Sequence, residues 1–127
     1  METLVRVVDE TPSGDRTEAV TLRMIGSLLT VRDLITRRVE AEVALQNAAR
    51  RSDWTGALVA PWRPAGSIRT RQRVDPEHQV LVALEAFKRN VFFVFVGERQ
   101  LSSLDDPLDL GADDTVSFLR MMPMLSG

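Results

Sequence analysis

The stretch that decides the fold is "VFFVFVGERQLSSLDDPLDLGADDTVSFLR", residues 91–120. It opens with an uninterrupted apolar run, which predicts a buried strand, and the Gly-Glu pair after this run predicts a tight turn into a short strand at 99–101. Turn-forming residues fill 102–114, so this segment is predicted to be a compact loop. Residues 115–121, "TVSFLRM", alternate again and predict a closing strand.

The first fifty residues predict a hairpin followed by a helix. "TLVRVVDE" (3–10) and "EAVTLRMI" (18–25) are rich in β-branched residues and flank the turn cluster "TPSGDR". From Val31 to Arg50 the apolar residues recur at three- and four-residue steps, which is typical of an amphipathic helix. Thr30 followed by Asp33 resembles a capping box at the start of this helix.

A long insertion and a second helix precede the residue 91–96 strand. Residues 52–74 contain prolines, glycines and no sustained period, so we interpret them as a partly ordered insertion. Asp75 suits the N-cap of the next helix, Pro76 suits its first position, and Asn90 suits its C-terminal end. Trp54 lies in the insertion, where packing is a more common role for tryptophan than partner binding.

This order predicts an α+β fold in one domain, residues 1–127, with a mixed sheet and a main helix on one face. If the first and last strands pair at the centre of the sheet, the fold is a β-grasp. The inserted loop and second helix are additions before the third strand. Residues 121–127 are predicted to form a C-terminal tail.

Composition excludes several classes of function. The net charge is -2, which argues against a nucleic-acid binder. The apolar run of residues 91–96 is too short to cross a membrane, and the N-terminus does not resemble a signal peptide, so we expect a cytoplasmic protein. The chain contains no cysteine, so any thioester chemistry must use the cysteine of a partner.

The sequence does not predict an enzyme. Its paired carboxylates lie in turn-rich segments, where Asp is expected for backbone hydrogen bonding. We find no phosphate-binding loop, nucleophile elbow or zinc spacing, and His78 has no matching His or Cys ligand. We therefore expect no catalytic residue, no metal site and no cofactor bound by the chain itself.

Residues 91–127 resemble the C-terminal half of ubiquitin and the sulfur-carrier subunit of molybdopterin synthase. The likeness to ubiquitin lies in the apolar strand, the glycine turn with its basic-Gln-Leu step, the leucine-punctuated loop and the Thr-initiated strand. The sulfur-carrier pattern joins a "D-x-P-L" loop, a "D-x-V-x-F" strand and a proline before a terminal glycine pair, of which this chain has one glycine, preceded by Ser126. Its matching residues are Asp106, Pro107, Leu108, Asp114, Val116, Phe118, Pro123 and Gly127.

Taken as a whole, the chain is most similar to bacterial ubiquitin-like proteins of the β-grasp superfamily. This resemblance implies a protein modifier whose C-terminal Gly127 is adenylated with ATP and magnesium by an activating-enzyme-like partner. The acyl group then passes through a conjugating-enzyme-like partner to target proteins, and a metallopeptidase belongs to the same system. Glycine suits such a site because it has no Cβ and leaves its carbonyl accessible.

The resemblance also implies roles for residues near this end. The segment Met122, Pro123, Met124, Leu125 and Ser126 would be recognised by the activating enzyme. Val94 and Leu119 fall at positions of the partner-binding patch of ubiquitin, with burial in the core as the alternative. Lys88 is the only lysine, so it and the N-terminal amine are the amine acceptors available for chain formation.

Two alternative functions remain open from the sequence. A sulfur carrier would bear a thiocarboxylate at Gly127. A non-covalent module would use the fold only for interaction or assembly, with the apolar residues 91–96 as its surface. A sheet with helices on one face leaves its other face available to a partner.

Overall fold

The computed structural model describes residues 2–49, 56–60, 74–111 and 115–121. It is an α+β arrangement of a five-stranded mixed sheet and two helices, compatible with the predicted β-grasp. The strands are β1 (Glu2–Glu10), β2 (Arg16–Ile25), β3 (Phe92–Val96), β4 (Arg99–Leu101) and β5 (Thr115–Arg120); the helices are α1 (Val31–Ala49) and α2 (Pro76–Lys88). Neither helix is both long and apolar enough to cross a membrane.

The sheet has the strand order β2-β1-β5-β3-β4. β5 therefore lies at the centre, parallel to β1 and antiparallel to β3, with Val7 beside Val116 and Val94 beside Phe118. The central pairing of the first and last strands, which the sequence left as a condition, is present. β1 and β2 form the predicted hairpin, with an irregularity in the ladder between Val7 and Val8.

Local signals set the starts of both helices. At α1, the backbone N–H of Thr30 donates to the Asp33 carboxylate at 2.9 Å, and the N–H of Asp33 donates to Thr30 Oγ1 at 3.4 Å, which confirms the capping box. At α2, the Asp75 carboxylate accepts from the N–H of Glu77 at 3.1 Å, which confirms the predicted N-cap. The C-cap of α2 is Arg89; Asn90 follows it with a φ of 61°.

Both helices pack on one face of the sheet, and the core lies between the helices and that face. The core includes Val5 and Leu22 from the hairpin, Leu34 from α1, Phe87 from α2 and Phe118 from β5, all nearly or fully buried. We call the opposite side of the sheet the open face. Strand alternation places Phe92, Val94 and Val96 of β3 towards the helices and Phe93 and Phe95 on the open face.

The described part of the insertion belongs to the core rather than to an exposed loop. Ala57, Leu58 and Val59 are buried and join the same apolar cluster as the helices. Polar side chains of both helices hold the backbone here: the N–H of Leu58 donates to the Glu42 carboxylate, and Gln79 Nε2 donates to the carbonyl of Ala60 at 2.8 Å. Residues 56–60 therefore pack with the helices and not on the open face.

Candidate functional site

The predicted conjugation site lies outside the described residues. Gly127 and the recognition segment Met122, Pro123, Met124, Leu125 and Ser126 are not described, nor are Trp54 and the rest of the insertion at 61–73. The chain can be followed to Met121, whose N–H donates to the carbonyl of Val91 at 3.2 Å. Met121 is 42% exposed, so the chain leaves β5 at the surface of the molecule.

Val94 does not lie on an exposed patch, which corrects the prediction. Its side chain has no exposed surface and packs in the core on the helix side of the sheet. The cause is the phase of β3: Val94 pairs with Phe118, which also faces the helices. A shift of one residue along a strand moves a side chain to the other face.

Leu119 does lie on the open face, where it is half-buried. It pairs with Phe93 across the β3–β5 ladder, and Phe95 pairs with Ser117 one step along. Phe93 and Phe95 are also half-buried. The apolar surface of the open face therefore includes Phe93, Phe95 and Leu119.

Lys88 is exposed at the C-terminal end of α2. It lines a surface cavity of about 380 Å³, whose other lining residues are Arg32, Phe87, Asn90, Ser102, Ser103, Leu104 and Asp105. The Arg32 guanidinium reaches Asp105 at 3.5 Å across this cavity. Lys88 is therefore accessible to a partner at this end of α2, whereas Val94 and Leu119 lie on strands of the sheet.

A buried ion cluster is the feature that the sequence analysis missed. Arg38 of α1 has no exposed surface and donates two hydrogen bonds to the Asp9 carboxylate, one of them at 2.8 Å. Its guanidinium also lies 4.7 Å from the ring centre of Phe118 and 3.6 Å from the Glu42 carboxylate. Asp9 and Phe118 lie far from Arg38 in sequence, so periodicity gave no signal for the cluster; only Glu42 lies close, four residues along α1.

Glu42 is the second charged member of this cluster. Its side chain is 18% exposed and accepts from the N–H of Leu58 at 3.1 Å. Burial raises the pKa of the Glu42 carboxyl above its usual value, and the nearby Arg38 and the hydrogen bond from Leu58 partly offset that rise. Asp9 raises the pKa further, and Arg120 lowers it. The cluster therefore joins β1, α1 and residues 56–60.

The described ranges contain no group of three or more His, Cys, Asp or Glu side chains placed to hold a metal ion. Comparisons with protein-family models, with curated proteins and with solved structures found no significant match for the chain.

Proposed function

We propose that the chain is a β-grasp ubiquitin-like modifier that is conjugated to target proteins through Gly127. The observation that carries this proposal is the central position of β5, parallel to β1 and followed by the tail. The resemblance of residues 91–127 to ubiquitin supplies the chemistry. The strand order supports the resemblance because residues 91–120 form β3, β4 and β5, in the order along the chain that the resemblance implies.

The exit of the chain from β5 suits a donor tail. Ladders on both sides hold β5, from Thr115 to Arg120, and the chain then emerges at the exposed Met121. The six residues 122–127 span at most about 20 Å when extended. An activating enzyme that draws Gly127 into its active site must therefore also contact the folded domain near this exit.

The proposed reaction has three steps. The Gly127 carboxylate attacks the α-phosphate of ATP, which releases pyrophosphate and forms an acyl-adenylate. A partner thiol then attacks the acyl carbon and AMP leaves, giving a thioester; the thiol must come from the partner because this chain has no cysteine. A nucleophile of the target finally displaces that thiol. The partner enzyme binds the ATP and magnesium.

The test is adduct formation with the cognate activating enzyme. The full chain is incubated with that enzyme, ATP and magnesium, and intact mass spectrometry is used to look for an adenylate or thioester. We expect an adduct for the wild type and for Lys88→Arg, which alters the one lysine without touching the tail, and none when Gly127 is deleted. An unchanged adduct after the deletion contradicts the proposal. In a parallel incubation that also contains a sulfide donor, a product in which sulfur replaces one oxygen of the Gly127 carboxylate, with AMP released, identifies a sulfur carrier instead.

A second candidate function is a non-covalent interaction module, favoured by the open face. Phe93, Phe95 and Leu119 form an apolar surface on the side of the sheet that bears no described helix. Partner-binding surfaces are enriched in such aromatic residues. Two variants distinguish the candidates. An interaction module keeps partner binding when residues 123–127 are deleted and loses it with Phe95→Ser. A modifier loses conjugation when residues 123–127 are deleted.

A further inference from the structure

The surface cavity of about 380 Å³ beside Lys88 lies where three elements meet: the start of α1, the end of α2 and the loop that follows β4. Two cations line it, the Arg32 guanidinium of α1 and the Lys88 ammonium of α2. Among the described lining residues, Asp105 alone carries a carboxylate. With two positive groups against one negative group, the cavity favours an anionic ligand.

Asp105 already places an anion beside one of these cations. Its carboxylate lies 3.5 Å from the Arg32 guanidinium, which is long for a hydrogen bond, and its side chain is 85% exposed. An ion pair this exposed contributes little to stability. An anion that makes more contacts can therefore displace Asp105 from Arg32.

Several hydrogen-bond donors around the cavity are unused. The side chains of Lys88, Asn90 and Ser102 make no hydrogen bond or ion pair with any described residue. Ser103 Oγ accepts from the N–H of Asp105 at 3.2 Å, which leaves the hydroxyl proton of Ser103 available to donate. An ammonium, an amide and two hydroxyls match a ligand that has several acceptor oxygens.

The backbone of the loop is fixed by its own hydrogen bonds. The N–H groups of Ser102 and Ser103 both donate to the Asp106 carboxylate at 3.0 Å. The N–H of Arg32 donates to the carbonyl of Leu104 at 3.0 Å, which ties the loop to α1. Mainly side chains must become ordered when a ligand binds, and this keeps the entropic cost of binding low.

The cavity also has an apolar part. Phe87 and Leu104 line it and are each 6% exposed. Its volume of about 380 Å³ falls within the range of roughly 300–1,000 Å³ that small-molecule sites occupy. This is more room than an inorganic phosphate ion fills, so the anionic group of the ligand is expected to carry an apolar substituent.

We propose that this cavity binds a phosphate monoester. The phosphate group lies between Arg32 and Lys88, where it displaces Asp105, and the apolar substituent lies against the buried ring and leucine. A phosphate monoester carries a charge of about −1.5 to −2 at pH 7 and has three acceptor oxygens, so it can bind both cations and still accept from the hydroxyls. A carboxylate has less charge and fewer oxygens.

This site is independent of the proposed conjugation. It uses α2, the helix for which the resemblance to ubiquitin does not account, and it requires no acyl chemistry at Gly127. Loss of adduct formation at the tail and loss of phosphate binding at the cavity are therefore separate results.

The experiment titrates the full chain with phenyl phosphate and follows the backbone amides by ¹H–¹⁵N NMR at an ionic strength of about 0.15 M. We expect saturable shift changes in residues 102–105 and at the end of α2, with a Kd below about 1 mM. Phenol, which lacks the phosphate, should give no saturable change. Inorganic phosphate, which lacks the ring, should bind at least about threefold more weakly.

Four variants test the assignment of the charged groups. Arg32→Gln and Lys88→Gln each remove one exposed cation and should weaken binding at least about tenfold. Asp105→Asn removes the competing carboxylate and should strengthen binding at least about threefold. Arg89→Gln is the matched control: Arg89 follows Lys88 but pairs with Glu85 and is not among the described lining residues, so this variant should bind within about twofold of wild type.

Three outcomes overturn the proposal. The first is no saturation up to about 10 mM phenyl phosphate. The second is equal weakening by Arg89→Gln and Lys88→Gln, because binding then reflects general surface charge. The third is unchanged or weaker binding by Asp105→Asn. In addition, inorganic phosphate that binds as tightly as phenyl phosphate overturns the assignment of an ester.

A small metabolite and a phosphorylated side chain of a partner share this chemistry, and a phosphotyrosine pentapeptide distinguishes them. If the peptide binds more than about tenfold tighter than phenyl phosphate, the ester belongs to a partner protein. If it binds with similar or lower affinity, the ester is a small molecule.

Discussion

Arg38 shows how one residue joins segments that lie far apart in sequence. It has no exposed surface, and its guanidinium binds Asp9 of β1, stacks on Phe118 of β5 and lies near the carbonyl of Gly56 at 3.4 Å. Burial of a guanidinium is costly unless its charge is matched; Asp9 and Glu42 match the charge here, although the buried Nε finds no hydrogen-bond partner within the described ranges. The sequence does not reveal this, because an arginine on an amphipathic helix usually faces solvent.

Glu42 should make stability depend on pH in an unusual direction. Its pKa is raised in the folded state, so the folded chain holds this proton more tightly than the unfolded chain does. The contribution of Glu42 to the unfolding free energy therefore falls as pH rises from the ordinary glutamate pKa through the raised one. Glu42→Gln should remove this slope, as measured by urea denaturation between pH 4 and pH 8.

The control for this prediction is Glu40→Gln, which removes a carboxylate from an exposed position of the same helix. The difference in unfolding free energy between wild type and Glu42→Gln should become less favourable to the wild type as pH rises. If Glu42→Gln and Glu40→Gln change the pH profile equally, the buried environment of Glu42 is not the cause.

At the scale of elements, the sequence predicted the helix starts and the hairpins, because the residues that determine them are close together in the chain. The residues of both N-caps lie within three positions of one another, and the β1–β2 and β3–β4 hairpins join adjacent strands around turn residues. The position of residues 56–60 had no such signal. Their contacts come from side chains on the two helices, Arg38, Glu42 and Gln79, at sequence separations of 18, 16 and 19 residues.

Asn47 should be the residue that fixes the end of the insertion. Its Nδ2 donates to the carbonyl of Val74 and its Oδ1 accepts from the N–H of Val74, both at 3.1 Å. Asn47→Ala removes both bonds and leaves two part-buried backbone groups, so it should lower the unfolding free energy by about 1–3 kcal/mol in urea denaturation.

Ala48→Ser is the matched change, because Ala48 is the exposed neighbour of Asn47 on α1. It should stay within about 0.5 kcal/mol of wild type. Equal effects of the two substitutions would mean that the Asn47–Val74 pair does not hold the insertion to the helix.

At the scale of the whole molecule, the two faces of the sheet have different environments. All six residues 91–96 are apolar, so the pattern predicts two alternating sets of side chains but not which set faces the helices. Pairing with β5 decides this: Val94 meets Phe118 and turns inwards, and Phe93 meets Leu119 and turns outwards. The resemblance to ubiquitin placed Val94 on a partner-binding patch, whereas its side chain lies in the core.

Two adjacent phenylalanines provide the test of this difference. Phe92 is 1% exposed, and its ring lies 5.8 Å from those of both Phe87 and Phe118, so Phe92→Ala should lower the unfolding free energy by about 3–5 kcal/mol. Phe93→Ala, on the open face, should lower the unfolding free energy by about 1–2 kcal/mol. Denaturation monitored by far-UV circular dichroism measures both changes. Equal losses of unfolding free energy would contradict the assignment of faces.

The central position of β5 has a consequence for biosynthesis. Arg6 lies beside Thr115, so the parallel pair closes only after nearly all of the described chain has left the ribosome. Until then the sheet exists as two separate hairpins, β2–β1 and β3–β4, each with an edge that β5 will later cover. Pairings of such long sequence separation form slowly. The nascent chain therefore carries the unprotected edge of β1 through most of its translation and that of β3 only near the end, and it is in this interval that it is most exposed to aggregation.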